Sequence, residues 1–236
     1  MDNLEGIDFR EGYIAVIDKP LNWGSTDVVR KIRAKLSAKG YRKIKVGHAG
    51  TLDPLATGVL LICIGKATKM VDALQAETKV YTTTIELGAT TISYDMEHPI
   101  SERFPTSHIT REMIEQTLRS LEGERLQTPP VYSAKKIDGV RAYEMARQGE
   151  EVVMRQALIN IYSIELLEVE MPRITIRVTC SKGTYIRSLA NEIGVGLNSG
   201  GYLTSLRRDA SGGFTTASCW NLEDFLKKID QKETNS

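Results

Sequence analysis

Six consecutive apolar residues, Val59-Leu60-Leu61-Ile62-Cys63-Ile64, stand between Gly58 and Gly65 and form the longest apolar run of the chain. A strand without polar alternation has to be covered on both faces, so this run predicts a buried strand inside a layered domain. It falls far short of the roughly 20 residues that a membrane-spanning helix needs. The 236 residues suffice for such a core, because a chain of this size buries roughly 70 to 75% of its unfolded surface without metal or disulfide. With 41% hydrophobic and 26% charged residues the composition is that of an ordinary globular protein.

The flanking pattern supplies the other elements. Residues 13–18 read as a strand, followed by Lys19-Pro20 and the turn formers Asn22-Trp23-Gly24. A helix then begins, capped by Ser25 or Thr26, with Val28, Ile32 and Leu36 on its apolar face. Further helices are expected over 67–76, 110–121 and 140–148, and a threonine-rich strand over 80–87. Residues 158–169 and 174–180 read as an antiparallel pair turned at Met171-Pro172-Arg173, with Ile174, Ile176, Val178 and Cys180 alternating along the second. Thr184 is expected to cap a helix running from Tyr185 toward Gly194. Without repeats or a Pro/Ser linker, the pattern predicts one continuous α+β domain.

The first eleven residues carry four acids and one arginine and lack an apolar signal core, which predicts a cytoplasmic protein with no membrane partner. Cys63, Cys180 and Cys219 share no spacing typical of zinc or redox sites and are expected to be buried thiols.

A net charge of +1 conceals an uneven distribution. Between Asp27 and Asp53 there is no acidic residue, while Arg30, Lys31, Arg33, Lys35, Lys39, Arg42, Lys43 and Lys45 place eight positive charges in twenty-five positions. Framed by Trp23, Tyr41 and His48, this run fits a polyanion-binding surface and makes nucleic acid the leading partner class. The loop that follows, from Val46 through His48 and Asp53 to Gly58, runs straight into the buried strand. Pro54 biases Asp53 out of the helical region, which suits a nucleophile or general base held on an extended loop, and equally a turn aspartate bonded to nearby amides. Arg187, in the first turn of a helix, opposes the helix dipole by about 0.3 to 1 kcal/mol and so calls for a nearby anion.

The loop Gly47-His48-Ala-Gly-Thr-Leu-Asp53-Pro-Leu-Ala-Thr-Gly58 resembles the active-site motif of the TruB family of tRNA pseudouridine synthases. Five further blocks resemble that family in the same order: Asp18-Lys19-Pro20, Gln127-Thr-Pro-Pro-Val-Tyr132-Ser133-Ala134-Lys135, Tyr143-Glu144 through Gly149, Cys180-Ser-Lys-Gly-Thr-Tyr185-Ile-Arg187 and Leu206-Arg207-Arg208. The resemblance implies the pseudouridine synthase fold, a mixed, mostly antiparallel central sheet flanked by helices and loops. It also implies isomerisation of uridine-55 to pseudouridine in the T arm of tRNA, with no metal or other cofactor, by a cytoplasmic monomer. Asp53 would be the catalytic aspartate, Tyr81 the ring stacked on the target base, and Arg187 the partner fixing the aspartate. Tyr185 and Leu206 would complete the uracil pocket, and His48 would take the space left by the flipped nucleotide. Lys39, Arg42, Lys43 and Lys45 would bind RNA phosphates. Attack on the ring, attack at C1′ and removal of the C2′ proton are all compatible with these residues.

The chain departs from the family pattern at three places. Asn22 stands where a glycine is usual, a tolerable exchange because asparagine accepts left-handed turns. Residues 91–98 keep Asp95 but carry Ile92, Ser93 and His98 in place of Asp, Thr and Gly, so no role is assigned to that loop. Only 28 residues follow Arg208, too few for the RNA-binding domain of the PUA type that many relatives carry. Residues 1–221 are therefore expected to form the catalytic domain and 222–236 a short helix with a frayed tail, leaving the catalytic domain to grip tRNA alone. Two other classes predict other residues. A tRNA-binding or folding factor on the same scaffold would need no intact catalytic set, and a carboxylate hydrolase would need a second acidic group and gives the basic run no purpose.

Overall fold

The computed structural model describes residues 4, 6–133, 136–137, 140–148 and 152–231. In chain order the elements are β1 (Tyr13–Lys19), α1 (Ser25–Ala38), β2 (Val46–Ala49), β3 (Ala56–Ile64), α2 (Val71–Ala76), β4 (Lys79–Leu87), β5 (Ala89–Thr91), β6 (Ile100–Arg103), α3 (Arg111–Ser120), β7 (Gly123–Gln127), β8 (Lys136–Ile137), β9 (Val140–Arg141), α4 (Ala142–Arg147), β10 (Ala157–Glu170), β11 (Arg173–Cys180), α5 (Ile186–Gly196), β12 (Gly201–Ser211), β13 (Phe214–Thr215), β14 (Trp220–Asn221) and α6 (Leu222–Gln231). The class is α+β with mixed sheet pairing, as expected. The chain divides into two compact units, one made of residues up to Tyr81 and from Arg207 onward, the other Thr82–Leu206. Ala134, Lys135 and Gly149 of the family-like blocks, and the tail beyond residue 231, lie outside the described residues.

In the first unit β3 runs antiparallel to β1 from Tyr13↔Ile64 to Lys19↔Gly58, and β14 lies parallel on the far side of β1. Every β3 residue from Gly58 to Ile64 is buried, the outcome that its unbroken apolar pattern predicts. Its pleat sends Val59, Leu61 and Cys63 into a cluster with Val16, Ala49 and Ala67. Burying each large aliphatic side chain stabilises the fold by about 1.5 to 3 kcal/mol. α1 hides Val28, Val29, Ile32 and Leu36. Its cap is Gly24, not Ser25 or Thr26: Asp27 Oδ2 accepts the Gly24 N–H at 2.9 Å, while the Ser25 hydroxyl is spent elsewhere. α6 is folded into this unit. It buries Leu222, Phe225, Leu226 and Ile229, stacks Phe225 on Tyr13, and pairs Asp230 with Lys35 of α1.

In the second unit the sheet order is the 201–206 part of β12, then β4, β11, β10 and β7. β11 alternates as predicted, with Ile174, Ile176, Val178 and Cys180 all fully buried. β10 pairs with it antiparallel, with two register shifts, and β7 closes the edge of the order. The helix expected over 140–148 is shorter, because residues 140–141 pair as a strand with 136–137. Thr110 caps α3 by accepting the Met113 N–H. Thr184 does not cap α5: its hydroxyl donates to the Ser181 carbonyl at 3.0 Å, and Tyr185 takes the cap position. Among the described residues no helix is long and apolar enough to cross a membrane.

Candidate active-site residues

In the first unit, the loop over 50–55 joins β2 to β3 and carries Asp53, half-buried, near its middle. Both neighbours of Asp53 are tied down. Ser25 Oγ accepts the Leu52 N–H at 2.8 Å and donates to the Leu52 carbonyl at 3.0 Å. The Pro54 carbonyl accepts from the Asn22 N–H at 2.8 Å and from Lys19 Nζ at 3.3 Å. Asn22 itself sits at φ 65°, the left-handed turn its substitution for glycine anticipates.

Lys19 and Arg208 are buried beneath this loop. Lys19 is fully buried and donates also to the carbonyls of Pro20 at 2.8 Å and Trp23 at 2.6 Å. Burial pulls its pKa down from an ordinary 10.5 to about 8, against the opposing attraction of Asp53. Arg208, 1% exposed, donates from Nε to the Val59 carbonyl at 2.7 Å and from Nη2 to the Gly50 carbonyl at 3.1 Å, tying the start of the loop to β3. Gly58 makes this approach possible. Its φ is 96°, and a Cβ there would lie 2.2 Å from the Arg208 carbonyl oxygen.

His48 sits on β2 opposite Ile62. Its Nδ1 is buried and has no hydrogen-bond partner among the described residues. Burial lowers its pKa, and the charge of Arg208 lowers it further, so the ring favours the neutral form. Tyr81 is buried on β4, on the same face as Lys79 and Thr83. The basic run is more compensated than its sequence suggests. Arg30 pairs with Asp27, Lys35 with Asp230, and Arg33 donates to the Val46 carbonyl at 2.8 Å. Lys31, Arg42, Lys43 and Lys45 remain exposed and Lys39 half-buried.

In the second unit, Tyr185 and Arg187 open α5, and Leu206 lies half-buried on β12. The arginine's place in a first turn now has a cause. Arg187 is 4% exposed, its Nη1 donates to the carbonyls of Tyr132 at 2.8 Å and Ser93 at 3.2 Å, and its Nε lies 3.7 Å from Asp95 Oδ2. Asp95 is buried and accepts from Ser93 Oγ at 2.6 Å and the Glu97 N–H at 3.0 Å. The altered loop over 91–98, given no role from sequence, thus supplies a carboxylate and a carbonyl to Arg187. Its His98 ring packs 4.4 Å from Tyr132. From sequence Lys19, Gln127 and Arg208 stand in family-like blocks and Asp95 in the altered loop, none with a role of its own, and Ser25 reads only as a cap. Among the described residues no cluster of three or more His, Cys, Asp and Glu side chains is arranged to hold a metal ion.

Comparison with known proteins agrees with the motif reading. Residues 33–186 match the model of the TruB family pseudouridylate synthase N-terminal domain. The chain is 52% identical over 228 residues to tRNA pseudouridine synthase B of Phocaeicola vulgatus, covering 96% of this chain and 97% of that protein. It is 49% identical to the protein of the same name from Flavobacterium johnsoniae, covering 94% of this chain and 98% of the relative. Among solved structures, a chain of a Cbf5-Nop10-Gar1 complex superposes with a TM-score of 0.71 at 31% identity, covering 93% of this chain. A chain of an H/ACA RNP bound to a substrate RNA containing 2′-deoxyuridine gives a TM-score of 0.68 at 29% identity, also covering 93% of this chain. This chain spans about half the length of each of those two. With most of the chain matched by the family model and nearly all of it by relatives at half identity, the protein belongs to the TruB family of pseudouridylate synthases.

Proposed function

We propose that this protein isomerises uridine-55 to pseudouridine in the T arm of tRNA. The observation that carries the reading is the double anchorage of Asp53, with Leu52 held by Ser25 and Pro54 held by Lys19 and Asn22, in a chain about half identical to proteins named tRNA pseudouridine synthase B. A carboxylate that acts on a sugar-base junction has to be aimed, and a loop fixed on both sides aims it without reorganisation.

The target uridine leaves its stack at a cost of a few kcal/mol, which contacts elsewhere on the RNA offset. Lys39, Arg42, Lys43 and Lys45 supply phosphate contacts that hold and orient the T arm. Tyr81 stacks on the flipped base, and Tyr185 and Leu206 complete its pocket. His48, whose ring burial biases toward the neutral form, enters the space the nucleotide vacates. Asp53 acts on the everted nucleotide as nucleophile or proton acceptor, and Arg187 is the cation that serves it. The N1–C1′ bond breaks, the ring turns, C5 bonds to C1′, and the proton lost from C5 is balanced by one gained at N1. No atom enters or leaves the product, so the enzyme is an isomerase.

Asp53→Asn tests the assignment. Pseudouridine formation on a T-arm RNA, read by mass spectrometry, should vanish while RNA affinity stays within about tenfold, because the carboxylate acts in chemistry rather than in phosphate attraction. Persistent turnover would remove Asp53 from the reaction.

A further inference from the structure

α5 starts without help from its own cap residue. Tyr185 holds extended backbone angles, φ −96° and ψ 108°, and makes no side-chain cap hydrogen bond. Tyrosine lacks the short acceptor that Ser, Thr, Asp or Asn brings to that position. Gln127, the last residue of β7 and 1% exposed, does the holding instead. Its Oε1 accepts the Tyr185 N–H at 2.8 Å, and its Nε2 donates to the Tyr185 carbonyl at 3.2 Å. Gln127 and Arg125, whose Nη2 lies 3.2 Å from the Glu192 carboxylate of α5, both favour the ionised form of that carboxylate against its burial. The amide's oxygen and one of its N–H groups are therefore both spent on Tyr185. A flipped amide would set NH2 against N–H and oxygen against a carbonyl, so one orientation is enforced. The following residues continue the seam: the Thr128 carbonyl accepts from Ser188 Oγ at 2.7 Å, and the Tyr132 carbonyl from Arg187.

We infer that Gln127 is a positioning residue of the isomerisation: its carboxamide clamps both backbone groups of Tyr185 and so sets the direction from which the ring that meets the flipped base projects. The inference rests on the placement of Tyr185 in the base pocket proposed above. Gln127 acts through Tyr185, whose backbone, and with it the Cα–Cβ direction from which the ring projects, is held by these two hydrogen bonds.

The experiment compares single-turnover rate and apparent KM on a T-arm RNA for the parent chain, Gln127→Leu and Gln127→Glu. Gln127→Leu should lose about 100-fold in rate with KM nearly unchanged, the effect of a misplacement of about an ångström. In Gln127→Glu the protonated carboxyl reproduces the acceptor and one donor, whereas the ionised form faces Glu192 and the Tyr185 carbonyl with no hydrogen to give. Glu192 of α5 and Arg125 of β7 are the charged groups facing it. Its rate relative to the parent should therefore climb about tenfold per pH unit toward acid until the carboxyl is protonated. A purely structural role would lower thermal stability without that recovery. A parent-like rate in Gln127→Leu, or a Gln127→Glu profile parallel to the parent's, overturns the inference. Should both variants fail to fold, amide exchange in the unaltered chain decides: a protected Tyr185 N–H upholds the clamp, and exchange at an unprotected helix-start rate refutes it. An inactive parent would sink the base-pocket reading itself, a failure distinct from an active parent with indifferent variants.

Discussion

Lys19 offers a test in which stability and activity separate. Its ammonium is fully buried, titrates near 8, and gives its three hydrogens to the carbonyls of Pro20, Trp23 and Pro54. Unfolded, the same amine titrates near 10.5. Between these values the unfolded chain binds the extra proton, so stability rises with pH through the window from about 8 to 10.5, by up to about 3 kcal/mol. Below the folded pKa both states carry the proton and the burial penalty is present in full. Lys19→Met removes that penalty, but it strands the Pro20 and Trp23 carbonyls at about 1 to 3 kcal/mol for each that stays buried, while that of Pro54 keeps the Asn22 N–H. The terms oppose one another, and the variant at pH 7 should lose no more than a few kcal/mol.

Denaturant unfolding of both proteins at intervals from pH 7 to 10 isolates the lysine, because every other alkaline group is common to the two. The parent curve should gain up to about 3 kcal/mol relative to the variant across that range. The rate should fall about 100-fold in Lys19→Met, since Pro54 is one bond from Asp53 and loses its cation. Parallel stability curves would show that Lys19 does not titrate in this window. A parent-like rate in the variant would show that the loop needs no clamp.

Asp95→Asn should cost about 3 kcal/mol in chemical denaturation, because it takes a carboxylate from the buried Arg187 guanidinium. Gly58→Ala forces a side chain at φ 96° to within 2.2 Å of a backbone oxygen, and Tm should drop by about 10 °C or more. Changing Lys39, Arg42, Lys43 and Lys45 together to Gln should reduce the slope of log affinity against log salt by about 3. Changing Arg30 and Lys35, already paired within the chain, should alter that slope less.

Local pattern made β3, β11 and the Asp53 loop legible, since an unbroken apolar run, an alternation and a glycine-bounded polar stretch each reflect what the segment itself must bury. The caps were displaced by one residue for a specific reason. The Ser25 hydroxyl is claimed by Leu52, 27 positions away, and that of Thr184 by the Ser181 carbonyl. No window short enough to show helical period contains Leu52 together with Ser25. The basic run misled in the same way, because Asp230 reaches Lys35 only once α6 has packed. Asp95 was overlooked because its neighbours differ from the family pattern, yet its own carboxylate and the Ser93 carbonyl carry the contacts with Arg187.

The buried cations share a logic that composition hides. Lys19 donates to three loop carbonyls, Lys79 to those of Leu74, Gln75 and Glu77, Arg208 to those of Gly50 and Val59, and Arg187 to those of Ser93 and Tyr132. Irregular backbone cannot satisfy its own oxygens the way a helix or ladder does, and buried carbonyls without donors are costly. A side chain with three to five donors can close several at once from one point. Burying such a charge gives back little net stability, as the lowered pKa of Lys19 registers. What it does give is a loop with one conformation. A reaction that must bring a carboxylate to an everted nucleotide depends on that more than on added stability, which is why Lys19 and Arg208 lie beneath the loop that carries Asp53 and Arg187 in the helix start that carries Tyr185.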